Sequence, residues 1–264
     1  MEDTQFYNIL MNPIKFLQKH GVLRRIWNVL DAIVPSILKT VYFNFHYLPY
    51  KQARKLPIRL RNVRIVKQKG TIVIDAPEVY KGMIEFGHYK TTNYWCPNKR
   101  INLDLRGGKI TFHGPSRFGF GTHIRVHGGG NLSIGKGATF ASSLNLCVVY
   151  KVSIGDYSHF GWDVTLMDND HHLIYDVIGQ TYVKPYAPVI IGQGCWVGAK
   201  SFINKGTKLA DHTIVSAASV VHGRFKEENI IIGGNPAVIV AKGYCITEES
   251  FHDYSVLNVS RNNN

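Results

Sequence analysis

Cysteine is scarce in this chain of 264 residues: Cys96, Cys147, Cys195 and Cys245 stand far apart, with no CxxC pair among them. Spread so thinly over a chain of this length, they do not make a disulfide framework. No secretory leader pattern opens the sequence, so reduced thiols in a cytosol are expected. Proline is 10 and glycine 25 of 264, which excludes collagen-like and low-complexity chains. Long apolar runs are missing as well. The longest N-terminal one, Ile26 to Leu48, is interrupted by Asp31, Pro35, Lys39 and His46, so it falls short of a membrane span. With 45% hydrophobic and 12% aromatic residues, the chain can bury a sizeable core, as one large domain or two smaller ones, and intrinsic disorder is excluded.

Acidic residues are the other shortage, 18 against 31 Lys and Arg. Residues 1–69 hold 13 basic residues against Glu2, Asp3 and Asp31, so +10 of the +13 lies there. Such a segment suits an anionic membrane surface, a phosphorylated substrate or nucleic acid, each of which offers clustered negative charge.

Residues 13–48 read as helix. Ile14, Phe16, Leu17, Val22, Leu23, Ile26, Trp27, Leu30, Ile33 and Val34 recur at three- and four-residue spacings, and Pro35 breaks or kinks the run. From Leu56 the texture changes to short β-branched runs, which is strand language.

The strongest signal is a repeat. Ile191, Val197, Ile203, Leu209, Val215 and Val221 are spaced by six without a slip. The same interval runs through Ile134, Phe140 and Leu146, then Ile154, Phe160 and Leu166, with a fainter forerunner in Phe112, Phe118 and Ile124. Six is neither the helical nor the simple strand period, so one aliphatic residue per six marks an inward position on short strands joined by tight bends. That is a solenoid of parallel strands.

These hexads, with Ile191-Gly192-Gln193-Gly194-Cys195-Trp196-Val197-Gly198-Ala199 and Gly233-Gly234-Asn235-Pro236-Ala237, resemble the hexapeptide-repeat acyltransferases, a family with a left-handed parallel β-helix. The resemblance covers roughly residues 105–242 and is closest to bacterial surface-polysaccharide and sugar O-acetyltransferases. It implies four regions: a basic helical segment at 1–55, lead-in strands and irregular coils at 56–104, the β-helix at 105–242 and a tail at 243–264.

The hexads stop at Leu166 and resume at Ile191, leaving an extended loop at about 168–188, where binding and catalytic groups tend to collect. The family carries its catalytic histidine in this loop. Its Asp-x-Asp-x-His pattern over Asp168-Asn169-Asp170-His171-His172 implies His172 as that residue. An extended segment would put Asp168, Asp170 and His172 on one side and His171 on the other. A neutral imidazole there can take the proton of an attacking hydroxyl, with a carboxylate fixing its tautomer. The oxyanion that develops would need a backbone N–H.

For the donor, acetyl-CoA, the family uses a groove between subunits along the late coils. The resemblance implies Trp196, Ala199, Ala217 and Ala218 in that groove, with Arg224, Lys226 and Lys242 for the phosphates. The chain departs from the family at Val238 and at His222-Gly223, where relatives carry cations. Asn145, His159, Trp162 and His171 are candidates for the acceptor, with Tyr157 and Asp163 on the same coil. His113, His123 and His127 do not assemble into a metal triad by position, and no metal is expected.

The resulting expectation is a cytoplasmic O-acetyltransferase acting on a sugar or surface-glycan precursor. It would be a homotrimer, possess no nucleic-acid partner, and contact the inner membrane face peripherally through its basic segment. An N-acetyltransferase on an amino-sugar nucleotide and a non-catalytic β-helix scaffold at a membrane are the alternatives.

Overall fold

The computed structural model describes residues 36–87 and 99–247. The amphipathic stretch from Ile14 to Val34, Cys96 and the end of the tail lie outside the described residues. What is described of the N-terminal segment is helical at residues 36–47, followed by a short helix, Tyr50–Ala53. Phe43 of the longer helix is buried against the coils, and Asn44 exchanges hydrogen bonds with the backbone of Ile58 at 2.7 and 3.0 Å.

Each later turn of chain contributes a strand to three faces in succession, and the strands of these coils pair in parallel with their counterparts one coil away. The protein is a parallel β-helix. This pairing already begins at Ile58–Leu60, which lies beside Ile84–Phe86. In the early coils Ile101–Phe112 and His123–Ile134 are long strands that pass from the second face to the third through Gly107-Gly108 and Gly128-Gly129. These glycines have φ between +63° and +138°, and the bends they form hide the hexad rhythm of that region.

The hexad residues are the inward ones. On the first face Phe86, Phe118, Phe140 and Phe160 stack with ring centroids 4.6, 4.6 and 4.9 Å apart, and Val197, Val215 and Ile232 continue the column. Leu146, Leu166, Ile203 and Val221 line the second face, and Ile134, Ile154, Ile191 and Leu209 the third. All are buried. Each such side chain contributes about 1.5–3 kcal/mol of hydrophobic stabilisation. Buried hydroxyls at the corners keep turn carbonyls paired: Thr207, Thr213 and Ser219 donate to Asn204, Ala210 and Ser216 at 2.7–2.8 Å. At the last coil the chain reverses through a cis Asn235-Pro236 bond into an antiparallel strand, Ala237–Lys242.

Between Thr165–Met167 on the second face and Val189–Ile191 on the third, the chain leaves the wall. It forms an antiparallel hairpin, Ile174–Asp176 with Thr181–Val183. The hairpin is exposed throughout, Ile178 at 93%.

Candidate active site

Alternation on a strand points the neighbours of each inward residue outward, and on the second face these neighbours form two ladders. One runs Arg64, Asn102, His123, Asn145, Thr165; the other runs Asp104, Arg125, Cys147, Met167. They floor a cleft of about 520 Å³ whose lining includes Arg106 and the loop residue His171.

The loop root explains how His171 reaches it. Asp168 is fully buried, and its carboxylate accepts the backbone N–H groups of Val149, Tyr150 and Lys151 at 3.0, 2.9 and 2.7 Å. Asn169 donates to Asp168 at 3.0 Å and accepts the N–H of His171 at 3.2 Å. This Asx turn puts His171 at φ +60° and swings its ring back over the wall. There His171 Nε2 lies 3.5 Å from Cys147 Sγ, and the ring stacks with His127 at 6.4 Å between centroids.

The segment is therefore bent where an extended one was expected, and the predicted side-by-side arrangement of Asp168, Asp170 and His172 does not form. Asp168 is occupied by backbone amides. Asp170 pairs with Lys205, which also donates to the carbonyl of Lys184 at 3.0 Å, tying both strands of the loop root to the next coil. His172 is exposed and has no side-chain hydrogen bond or ion pair among the described residues. Of the predicted residues, the cleft gathers Asn145 and His171.

The other predicted residues lie elsewhere. Trp196 is 46% exposed on the first face, in register with His159, whose Nδ1 lies 2.5 Å from Thr139 Oγ1. Ala199 and Ala218 stack at the corner between first and second faces, where the Ala218 N–H donates to the Ala199 carbonyl at 2.8 Å. Ala217 adjoins them. Trp162 occupies the same corner one coil earlier, its carbonyl accepting the Lys200 N–H at 2.8 Å. Arg224 and Lys226 are exposed near the third face, while Lys242 is paired with Glu227 at 2.6 Å. Small side chains at the late corner leave the backbone approachable. Lys242 is the least suited of the three cations, since a carboxylate already holds it.

Burial holds the His123 imidazole below its usual range, with Arg125 and Lys99 acting in the same direction. His127 is lowered likewise, first by burial and then by Arg125 and His171. Burial raises the Cys147 thiol. His113 sits on the third face, against Ser133 at 2.9 Å, apart from His123 and His127. Sequence reading missed Cys147, Asp104, Arg64, Arg106 and Arg125. The signal was available, since Arg125 and Cys147 directly follow the hexad residues Ile124 and Leu146.

No family model matches the chain. Over 125 residues it is 30% identical to the "Putative colanic acid biosynthesis acetyltransferase WcaF" of Escherichia coli (strain K12), covering 40% of this chain and 67% of that protein. It is 27% identical over 142 residues to the galactoside O-acetyltransferase of the same organism, covering 53% and 63%. Among solved structures it is similar to the polySia specific acetyltransferase NeuO, with a TM-score of 0.49, 18% identity and 72% and 78% coverage. Another is the hexapeptide-repeat acetyltransferase VCA0836 of Vibrio cholerae O1 biovar eltor complexed with acetyl coenzyme A, with a TM-score of 0.36, 21% identity and 52% and 70% coverage. With its hexads forming the coils of a parallel β-helix and relatives that are sugar and polysaccharide O-acetyltransferases, the chain belongs to the hexapeptide-repeat acyltransferases.

Proposed function

We propose that this protein transfers an acetyl group from acetyl-CoA to a hydroxyl of a sugar or surface-polysaccharide precursor, with His171 as general base. The observation that carries the assignment is the Asx turn that brings His171, and not His172, over the second-face cleft. Acetyl-CoA would supply an activated thioester carbonyl. His171 would take the proton of the acceptor hydroxyl as its oxygen attacks, and return it to the departing sulfur. Asn145, which lines the cleft floor, would hydrogen-bond the acceptor. Trp196, Ala199, Ala217 and Ala218, with Arg224 and Lys226, would hold the donor.

Trp196 and the three alanines lie on and beside the first face and Arg224 and Lys226 near the third, while His171 stands over the second. A homotrimer, in which a neighbouring copy completes each site, accounts for that separation. It would also cover the apolar hairpin residues Leu173, Val177 and Ile178, which one chain leaves exposed. No described helix is long and apolar enough to cross a membrane. The helix at 36–47 exposes Ile37, Leu38, Val41, Tyr42 and Phe45, which supports peripheral contact between the basic N-terminal segment and an anionic membrane. Flotation with phosphatidylserine vesicles at low salt would detect that contact.

The purified protein should release CoA from acetyl-CoA in the presence of glycan acceptors and leave an O-acetyl group detectable by proton resonance. An active His171→Ala protein would overturn the assignment of the base. Absence of transfer to any hydroxyl in a broad glycan panel would overturn the activity.

A further inference from the structure

Resting on the acetyltransferase reading, we infer that the second-face cleft selects an anionic acceptor, a saccharide bearing a carboxylate or a phosphate, and that Arg64, Arg106 and Arg125 bind its charge. The cleft lining carries three arginines against one carboxylate, Asp104. Asp104 is 5% exposed and is itself used up: Arg106 Nε donates to both its oxygens at 2.9 and 3.0 Å, and Arg125 Nε lies 3.4 Å away. Both guanidiniums are thus oriented through Nε and half exposed, leaving their terminal amino groups for a planar, bidentate oxyanion. Arg64 is exposed at the far end of the ladder, with no acidic partner among the described residues.

The histidines beside them add no negative charge to the cleft. His123 and His127 are shifted toward the neutral form by partial burial and by the cations around them, which suits them to sugar hydroxyls. Spacing also fits a sugar chain. Arg125 is in register with Cys147, the residue under His171, and so lies one coil away, about 4.8 Å. Arg64 lies three coils from Asn145, roughly 14 Å, along the same ladder. An anionic group on the reacting sugar or its neighbour would meet Arg125, and a further one would meet Arg64.

Binding of tetragalacturonate, glucose 1-phosphate and neutral maltotetraose to the full-length protein, measured calorimetrically at low salt, tests this. At least one anionic probe should bind and maltotetraose should not, and which of the two anions binds separates a carboxylate from a phosphate site. The double variant Arg64→Gln with Arg125→Gln should weaken the anionic probe about tenfold or more. Lys109→Gln, which removes a charge from the third face, should leave it unchanged. Arg64→Gln alone removes an exposed side chain and keeps the test valid if the double variant misfolds. Equal affinity for maltotetraose, failure of both anions to bind, or anion binding indifferent to Arg64→Gln and to the double variant would overturn the inference. Acetyl transfer to neutral acceptors alone would remove this inference and leave the activity standing, whereas arginine-dependent binding with no transfer would do the reverse.

Discussion

His171 Nε2 stands 3.5 Å from Cys147 Sγ although 24 positions separate the two residues in sequence. A cysteine beside a histidine invites a covalent reading, in which the thiolate carries the acetyl group between donor and acceptor. The surroundings oppose it, because burial raises the thiol and keeps it protonated near neutral pH. Cys147 then serves as a wall for the imidazole. Cys147→Ala should retain turnover to within about tenfold, well short of the loss expected for a nucleophile, and intact mass of the enzyme mixed with acetyl-CoA should show no acetylated protein.

The two adjacent histidines should behave differently. His171→Ala is expected to lower the acetylation rate by about 10² to 10⁴, the usual contribution of a general base, while the protein keeps its oligomeric state. His172→Ala should change the rate only a few-fold, since its side chain is exposed and unpartnered among the described residues. The reverse order would return the role to His172.

His123 and His127 set an acid limit on stability. Burial places both below the reference value of 6.5, so between their folded and unfolded pKa values the unfolded chain binds more protons. Their contribution is complete above pH 6.5 and is lost as pH falls through the folded values. Ring-proton titrations should therefore give midpoints below 6.5. The thermal midpoint should drop from pH 7 to pH 5, and His123→Gln with His127→Gln should flatten that drop.

Stacking of the coils requires glycine at some corners. A Cβ on Gly155 would come within 2.5 Å of Gln193 N and the Gly192 carbonyl, and one on Gly198 within 2.5 Å of Ala217 N. Neither backbone can give way without spreading two coils. Gly155→Ala should cost about 1–3 kcal/mol in denaturant unfolding, and a variant as stable as the parent would contradict the need for glycine at this corner.

The hexads from Ile134 onward were legible because each aliphatic residue fills an inward position that only a six-residue rhythm maintains, and Ile191 through Val221 are all buried as that rhythm requires. The loop was legible too, as the gap between Leu166 and Ile191. The aim of His171 was not. It depends on an Asx turn at Asn169 and a residue at φ +60°, and alternation assumes neither. The role of Asp168 was hidden for a related reason: its partners are backbone amides at Val149, Tyr150 and Lys151, which carry no side-chain signature. The floor of the cleft lay in the outward neighbours of hexad residues, whose chemistry becomes a site only when parallel pairing sets Asp104, Arg125 and Cys147 side by side.

Asp168 offers the clearest separation of structure from catalysis. If it oriented a catalytic imidazole, Asp168→Asn would depress turnover and leave the fold as stable as before. Its carboxylate instead accepts three backbone N–H groups and the Asn169 amide, and hydrogen bonds to a charged acceptor contribute about 1.5–3 kcal/mol each. Asparagine keeps one acceptor oxygen and turns an amide group toward the remaining donors. Asp168→Asn should therefore cost roughly 3 kcal/mol in denaturant unfolding, and Asp168→Ala at least as much, because alanine leaves all three amides without a partner. The loop root would loosen with it, so turnover should fall in step with stability, and lowering the temperature should restore part of both. A stable but slow Asp168→Asn protein would contradict this account and return Asp168 to the catalytic group.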